Sequence, residues 1–420
     1  MIADGQSIPR FAVAQIGARM HYAVPRILNE AGRLERLFTD FAVTRQYDAP
    51  PWPLRRLLSR YPRGIPAGRI THFPALAFAT TLASRLLRSE SAYLRLWMSA
   101  GRGFCRAVVR RGFGQAGAVY AYNSAALELF QEARARGLLC VLEQTVAAAG
   151  VLHRLLAEER AAWPGWSISP RPAAAAAEFA GREAAEWSSA DVILAGSEFV
   201  VDSIRESGGP AGLCRVVPYG VDLPACQPPV KRGRRLRVLF CGAVGLRKGV
   251  PYLLEAACLL ASERFEFRFV GAVSAPAAVR SSLPRHCEFV GAVPRPAMSF
   301  HYRWADVFVL PSICEGSATV CYEALAAGLP VVTTPNAGSV VRDGVDGFIV
   351  PIRDPRALAQ RLELLAADAG LREHMARNAA ARARVFTVAA YSGRLLDALA
   401  LQPACEPVSK PARSTVPECR

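Results

Sequence analysis

One segment of the chain reads Pro311-Ser-Ile-Cys-Glu-Gly-Ser-Ala-Thr-Val-Cys-Tyr-Glu-Ala-Leu-Ala-Ala-Gly-Leu-Pro330. It follows an apolar run, residues 307–310, that is typical of a short buried strand, and it closes on Gly328, a residue that ends helices. The segment therefore predicts a strand, a turn and a helix that begins near Ser317. Backbone N–H groups at such a helix start have no partner within the helix and can bind a phosphate or sugar hydroxyls.

Two glutamates accompany this predicted helix start. Glu315 comes just before it, and Glu323 lies two turns inside the helix with no basic residue three or four positions away. A purely structural interpretation is open for both, because glutamate favours helices and Glu315 could complement the helix dipole. The functional interpretation is that both carboxylates face a ligand bound near the first turn.

A glycine-rich turn precedes this segment in the chain. Residues 235–241 have the composition of a buried parallel strand, and they are followed by Gly242-Ala-Val-Gly-Leu-Arg-Lys-Gly249. Glycines allow the backbone to approach an anion closely, and Arg247 and Lys248 would neutralise it. Lys248 is one of only three lysines among 51 basic residues, which suggests that a compact ammonium group is needed there. The alternative is a solvated pair of cations in a loop.

The two segments together resemble the nucleotide-sugar binding motif of the retaining glycosyltransferases of family 4 (glycosyl transferases group 1), which have the GT-B fold. The resemblance implies an α/β protein with two Rossmann-like, doubly wound domains that face each other across a cleft. In that family the first glutamate lies by the donor sugar and the second binds the ribose hydroxyls; the matching positions are Glu315 and Glu323. The family's glycine-rich loop binds the donor diphosphate. Its usual arginine after the first glycine is Ala243 here, and Arg247 is the candidate replacement.

The site predicted from this resemblance has three parts. The catalytic residues are Arg247, Lys248 and Glu315. The donor-binding residues are Gly17, Gly242, Gly245, Gly316, Ser317, Ala318, Thr319, Glu323 and Gly338. Residues expected to contact the acceptor or the sugar are Arg19, His21, Glu143 and Gln144. A lone histidine such as His21 is more often a packed or capping residue than a catalytic one.

Alternation of strand-like and helix-like segments along both halves of the chain predicts two parallel sheets. A stretch rich in proline and arginine separates the halves and reads as a linker. The predicted units are residues 1–223 (the Rossmann-like acceptor domain, with a basic helical insertion at about 50–115), 224–235 (linker), 236–386 (the Rossmann-like nucleotide-sugar domain), 387–401 (a helix crossing back to the first domain) and 402–420 (a disordered tail).

The net charge of +16 is concentrated near the start of the chain, because residues 1–110 hold 17 arginines and 6 acidic residues. The run 50–63 mixes arginines with Trp, Leu and Tyr, as segments at a membrane interface do. An anionic membrane surface is therefore a candidate partner, with plain solubility as the alternative. Nucleic acid is not predicted as a partner, since no helix-turn-helix, zinc-finger or RNA-recognition signature occurs.

The sequence predicts no cofactor and no metal. Eleven cysteines are scattered without a C-x-x-C pair, and no Asp-x-Asp pair that could bridge a metal to a diphosphate occurs. The first residues show no signal-peptide pattern, and no apolar stretch reaches the roughly 18 residues that a membrane span needs. We therefore expect a cytoplasmic protein. The positive charge near the start of the chain further indicates peripheral attachment to the inner face of the plasma membrane.

The expected activity is transfer of a sugar from a UDP- or GDP-linked donor to a hydroxyl of a glycan, lipid-linked or small-molecule acceptor, in cell-surface polysaccharide or glycolipid synthesis. An alternative is a catalytically inactive GT-B protein that binds a nucleotide sugar or a partner, which the residue Ala243 would favour. Two further alternatives are a basic protein that only attaches to a membrane or nucleic acid, and a GT-B enzyme of another chemistry, such as sugar-nucleotide epimerisation.

Overall fold

The computed structural model describes residues 8–44, 60–87, 89–166, 175–223, 235–273, 276–281 and 283–400. These residues form two sheets, and every strand pair in both sheets is parallel. The α/β class with two doubly wound domains, expected from the sequence, is confirmed. The predicted linker, apart from Arg235, and the predicted disordered tail lie outside the described residues.

The first sheet has seven strands in the order β3-β2-β1-β4-β5-β6-β7. Its central strands are completely buried, because helices cover both faces of a parallel sheet. The strands are β1 (Phe11–Gln15), β2 (Leu34–Thr39), β3 (Ile70–His72), β4 (Ala118–Tyr122), β5 (Leu139–Gln144), β6 (Val192–Ala195) and β7 (Cys214–Val216). The helices are α1 (Ala23–Glu30), α2 (Pro74–Leu86), α3 (Glu90–Arg111), α4 (Leu127–Ala135), α5 (Ala149–Ala162), α6 (Ala176–Ser188) and α7 (Glu198–Glu206).

The region predicted as a helical insertion contains a strand that the sequence did not indicate. β3 joins the edge of the first sheet by pairing with β2, and only then do the long helices α2 and α3 follow. With three residues, β3 is too short to show a periodic pattern. Residues 45–59, which include most of the basic aromatic run, lie outside the described residues.

The second sheet has six strands in the order β10-β9-β8-β11-β12-β13. Its strands are β8 (Leu236–Cys241), β9 (Phe265–Val270), β10 (Cys287–Gly291), β11 (Val307–Leu310), β12 (Val331–Thr333) and β13 (Gly347–Ile349). Its helices are α8 (Val250–Leu259), α9 (Ala277–Ser281), α10 (Met298–Trp304), α11 (Thr319–Ala326), α12 (Pro355–Ala367), α13 (Ala369–Val385) and α14 (Val388–Ala400). The strands predicted over residues 235–241 and 307–310 correspond to β8 and β11.

The strand order locates the ligand crevice of each sheet. In both sheets the first strand lies between a strand that follows it directly and one that comes after a long connection: β1 between β2 and β4, and β8 between β9 and β11. Open parallel sheets bind ligands at the carboxyl ends of the strands at this point of reversal. The turn after β1 and the turn after β8 are the corresponding positions.

Helix α14 returns to the first domain. Its buried residues Tyr391, Leu395 and Leu399 pack in the same apolar cluster as Phe11 and Val13 of β1. A backbone hydrogen bond of 2.8 Å from Val221 N–H to Phe386 O lies just before the helix. The last helix therefore packs against the first domain and helps to hold the two domains together.

Candidate active site in the interdomain cleft

The turn after β8 has a backbone that requires glycine at its end. Gly249 has a φ of +66°, and a Cβ at that position would lie 1.9 Å from the carbonyl oxygen of Pro311. The turn is also hydrogen-bonded to the segment after β11, since Arg247 O accepts from Ile313 N–H at 2.9 Å. The glycine-rich turn and the Pro311–Pro330 segment are thus fixed against each other.

The two predicted cations meet Glu315. Lys248 Nζ lies 2.8 Å from Glu315 Oε1, and Arg247 Nη1 lies 3.1 Å from the same oxygen. Lys248 and Glu315 are buried, whereas the side chain of Arg247 is half exposed. A Cβ on Gly242 would lie 3.1 Å from Lys248 Cε, so the absence of a side chain there leaves room for the lysine stem. The structure brings together the three residues that the sequence predicts as catalytic.

Helix α11 begins at Thr319, two residues later than predicted. The Ser317 hydroxyl is hydrogen-bonded to Tyr322 at 2.8 Å, and Ala318 N–H donates to Ala337 O at 3.0 Å. Both groups are therefore engaged within the second domain. The amides of Thr319 and Val320 at the start of the helix have no partner within it and carry the positive end of its dipole, whereas Cys321 N–H donates to Ala318 O at 2.9 Å.

Gly316 and Gly338 lie where the domains touch. A Cβ on Gly316 would lie 2.0 Å from Thr145 O of the first domain, and a Cβ on Gly338 would lie 2.1 Å from Gly316 O. The Ser197 hydroxyl donates to Gly316 O across the boundary. The Ser197 side chain makes this interdomain bond and does not cap α7. These glycines therefore permit the domains to approach each other. Gly245, in contrast, has an extended backbone and open space around it.

Glu323 lies at the other end of the site and bonds two residues of the second domain. Its Oε2 accepts a hydrogen bond of 2.8 Å from the Tyr302 hydroxyl, and its Oε1 lies 3.4 Å from Arg295 Nη2. Burial raises the pKa of Tyr302 well above its ordinary value, so this phenol stays a proton donor. Arg295 also contacts Nε2 of His21 in the first domain. The second glutamate is thus linked to the facing domain through a single arginine.

A cavity of about 460 Å³ lies at this end, between the domains. Its wall includes His21, Arg26, Asp222, Arg295, Thr319 and Glu323. A volume of this size is in the range of small-molecule sites. The cavity therefore connects the second glutamate and the first residue of α11 with the turn after β1.

The turn after β1 has an unusual backbone. Gly17 has a φ of +82°, and Met20, His21 and Tyr22 follow with φ values of 44°, 51° and 60°. Three consecutive residues with side chains in the left-handed region are costly, and such strain clusters at functional sites. The Gly17 N–H donates to Asp40 Oδ1 at 2.8 Å, which fixes the start of the turn.

Arg19 and His21 project from this turn in different environments. Arg19 lies over the ring of Tyr122, 5.3 Å from its centroid, and donates to Thr145 Oγ1 at 3.0 Å. Burial, and then the positive charge of Arg295, lower the pKa of His21 below its ordinary value of 6.5. The imidazole at neutral pH is therefore uncharged and can accept a hydrogen bond from the guanidinium.

Two of the residues expected to contact the acceptor lie in the core of the first domain. Glu143 is buried and accepts hydrogen bonds from the hydroxyls of Tyr120 at 2.5 Å and Tyr219 at 3.0 Å; burial raises its pKa. Gln144 is buried and donates to the carboxylate of Glu183 at 2.7 Å. Their polar atoms are used internally, so the structure does not support an acceptor contact for either residue.

The structure adds residues that the sequence analysis missed. Arg295 follows β10 within a proline-rich turn, and Tyr302 lies in α10; neither belongs to a recognisable motif. Thr145 follows β5 and contacts both Arg19 and the second domain. A position just after the carboxyl end of a parallel strand was the only available signal for Thr145. Among the described residues no cluster of three His, Cys, Asp or Glu side chains could hold a metal ion.

Comparison with known proteins agrees with this architecture. Residues 235–368 match the family described as glycosyl transferases group 1. A D-inositol 3-phosphate glycosyltransferase of Xylanimonas cellulosilytica is 33% identical over 241 residues, covering 50% of this chain and 58% of that protein. The same-named protein of Geodermatophilus obscurus is 35% identical over 193 residues, covering 38% of this chain and 42% of that protein. The chain spans about half the length of the curated relatives it matches.

Solved structures resemble nearly the whole chain. HepE of Anabaena, in complex with UDP and glucose, has a TM-score of 0.59 at 16% identity, covering 93% of this chain and 99% of that one. Sucrose-phosphate synthase of Thermosynechococcus elongatus has a TM-score of 0.66 at 17% identity, covering 92% of this chain and 97% of that one. At these identities the likeness establishes the fold.

The two sheets, their facing turns and these neighbours define a protein of the GT-B class. Residues 235–368, which contain the two motifs singled out in the sequence, match the model of the glycosyl transferases group 1. None of the described helices has the length and apolarity needed to cross a membrane.

Proposed function

We propose that the chain is a retaining glycosyltransferase that moves a sugar from a UDP- or GDP-linked donor to an acceptor hydroxyl. The observation that carries the proposal is the meeting of Arg247, Lys248 and Glu315 at the crevice of the second sheet. A buried ammonium and an adjacent guanidinium form a cationic site for a diphosphate. The start of α11, whose Thr319 lines the cavity between the domains, supplies N–H groups that have no partner within the helix.

The proposed chemistry depends on the leaving group. Breaking the bond to the sugar places negative charge on the diphosphate, so cations fixed in advance stabilise the transition state more than the ground state. Lys248 suits this role because it is buried, and burial strengthens its electrostatic effect. Glu315 holds both cations in position before the donor binds. We propose that these side chains act without a metal ion or a cofactor.

The donor's nucleotide would extend toward Glu323. Its carboxylate lies at the cavity between the domains and would accept hydrogen bonds from the ribose hydroxyls. Tyr302 already orients one carboxylate oxygen, and Arg295 contacts the other. In this arrangement the ribose replaces Arg295, which is the more exposed of the two partners.

The relatives support a nucleotide-sugar donor. Two of the similar solved structures are HepE of Anabaena in complex with UDP-glucose and with UDP and glucose. The sequence relatives are named glycosyltransferases. We propose that the acceptor group is a hydroxyl of a glycan, a lipid-linked compound or a small molecule, and that the reaction belongs to cell-surface polysaccharide or glycolipid synthesis. We also propose that the protein is cytoplasmic and attaches to the inner face of the plasma membrane.

A thermal-shift panel of UDP-, GDP- and ADP-sugars tests the donor class, because a ligand that binds only the native state raises its melting temperature. Release of the nucleoside diphosphate from the stabilising donor then tests turnover. Binding with no release, with any acceptor class, would favour the inactive GT-B alternative to which Ala243 points. No stabilisation by any member of the panel would reject the proposal.

A further inference from the structure

Helix α2 exposes an apolar face to solvent. None of its residues is buried, and the exposed fractions are 71% for Phe78, 52% for Leu82 and 75% for Leu86. These residues are spaced at four-residue intervals and therefore form a stripe along one side of the helix. A surface helix normally turns such a stripe toward the core. The stripe on α2 lacks a partner among the described residues.

Helix α3 packs against α2 and also exposes aromatic side chains. The two helices form a hairpin in which Gly103 of α3 faces Leu76 of α2, since a Cβ on the glycine would lie 3.5 Å from Leu76 Cδ1. Tyr93 and Trp97 of α3 are exposed, and their rings contact each other with centroids 5.9 Å apart. Tyr and Trp are the residues that favour the boundary between lipid and water.

The charge of the hairpin indicates the sign of its partner. Residues 74–111 contain seven arginines and one acidic residue, Glu90, which is paired with Arg160 at 2.6 Å. Arg85 on α2 and Arg106 on α3 have no acidic partner in the part of the chain that the structure describes. An anionic surface would therefore complement this hairpin.

The hairpin is connected to the cleft. Phe73 N–H, immediately before α2, donates to the carbonyl oxygens of Thr39 and Asp40 at 3.1 Å. The side chain of Asp40 in turn accepts from Gly17 N–H in the turn after β1. The exposed helix therefore begins at the same edge of the first sheet as the acceptor side of the cleft.

We propose that the apolar stripe Phe78–Leu82–Leu86, with Tyr93, Trp97 and the arginines of the same two helices, docks on an anionic lipid bilayer. The hairpin lies on the bilayer and does not cross it, which agrees with the absence of a spanning helix among the described residues. Docking in this way places the acceptor side of the cleft next to lipid headgroups. The surface goes beyond the proposed glycosyl transfer, and its existence does not depend on that reaction.

A second copy of the chain is a less suitable occupant. Closed dimers are symmetric, so the hairpin would face its own copy and bring its arginines against the same arginines. Like charges brought together in this way oppose association. The bilayer supplies the opposite charge together with an apolar interior.

Flotation with lipid vesicles tests the inference. The full chain is mixed with vesicles of phosphatidylcholine alone, or of phosphatidylcholine with about one-third phosphatidylglycerol, an anionic lipid. The test variant is Phe78→Gln/Leu82→Gln/Leu86→Gln; because the three side chains are exposed, its melting temperature should equal that of the wild type. The matched control is Leu259→Gln/Leu364→Gln/Val385→Gln, which changes three exposed apolar residues on other helices.

The wild type and the control should float with the anionic vesicles, and the α2 variant should bind them at least about tenfold more weakly. Arg85→Gln/Arg106→Gln should weaken binding to anionic vesicles by about fivefold for each arginine. Equal binding by the α2 variant and the wild type, or no vesicle binding at all, would overturn the inference. So would a wild-type dimer that the α2 variant converts to a monomer.

The same preparations distinguish this inference from the proposed function. Stabilisation by nucleotide sugars, measured without vesicles, should be the same in the α2 variant and the wild type. Vesicle binding by a chain that no nucleotide sugar stabilises would reject the transferase proposal and leave the membrane surface in place.

Discussion

Replacement of Lys248 is the most direct test of the proposed chemistry. The ammonium group is buried and lies 2.8 Å from Glu315 Oε1, at the crevice where the donor diphosphate is proposed to bind. Two unit charges about 4 Å apart interact by about 4 kcal/mol at an effective dielectric constant of about 20. Loss of one such group typically lowers turnover by about 10² to 10³. We therefore expect Lys248→Ala to reduce kcat by that factor.

The cost in stability should be smaller than the cost in turnover. After the substitution Glu315 keeps Arg247 at 3.1 Å, so its carboxylate is not left without a cation. We expect a loss of about 1–3 kcal/mol in the free energy of unfolding, against about 3–5 kcal/mol for a buried charge with no partner. The variant should therefore fold, and its kinetics can be compared directly with those of the wild type.

Lys248→Met separates packing from charge, because methionine keeps most of the hydrocarbon stem. It should be more stable than the alanine variant and equally slow. The assay is release of nucleoside diphosphate from the donor that the thermal-shift panel identifies, with kcat and KM measured separately. A charge that acts in the transition state affects kcat more than KM. A folded methionine variant with turnover within about threefold of the wild type, a change of less than 1 kcal/mol in the barrier, would refute the assigned role.

Three further outcomes are expected. Glu323→Ala should weaken nucleoside diphosphate binding by about tenfold in calorimetry, since it removes the proposed ribose contact; unchanged affinity would contradict that contact. Gly249→Ala should lower the free energy of unfolding, measured by chemical denaturation, by about 3 kcal/mol or more, because Gly249 has a positive φ and a Cβ there would lie 1.9 Å from Pro311 O. Gly245→Ala, with open space around the residue, should lower it by less than about 1 kcal/mol. Because the pKa of His21 is lowered in the folded state, the stability that this residue contributes is complete above pH 6.5 and is lost as the pH falls below 6.5. The melting temperature of the wild type should therefore decline more on acidification than that of His21→Gln. Parallel declines of the two melting temperatures would exclude this role of His21.

The second domain was largely predictable because its signals are local. The apolar run of β11, the glycine turn and the helix of the Pro311–Pro330 segment lie within about 25 residues. Glu315 lies 68 residues after Arg247 and 67 residues after Lys248. These residues meet because β8 and β11 are neighbours, so the turns after the two strands share one edge of the sheet.

The first domain was less predictable because its contacts are between distant residues. Glu143 lies one residue before the end of β5, and the family resemblance assigned it to the acceptor side. Its carboxylate instead bonds Tyr120 and Tyr219, and the second lies 76 residues away with no local signal. Helix α2 could not be assigned to the surface from sequence, because a helical pattern indicates an apolar stripe but does not tell whether it faces the core. In the structure the stripe of Phe78 and Leu82 faces solvent.

Gly316 and Gly338, predicted as donor-binding residues, also permit the close contact between the domains. A side chain on Gly316 would meet Thr145 O of the first domain at 2.0 Å, and one on Gly338 would meet Ser197 Oγ of the first domain at 2.5 Å. Ala147 N–H also donates to Glu315 O at 3.2 Å, so the backbone beside the first glutamate is bonded to the facing domain. The motif therefore fixes the carboxylate and the width of the cleft together. A substitution at Gly316 would move the domains apart even in the ligand-free protein. Loss of activity in such a variant would therefore not by itself indicate a lost ligand contact.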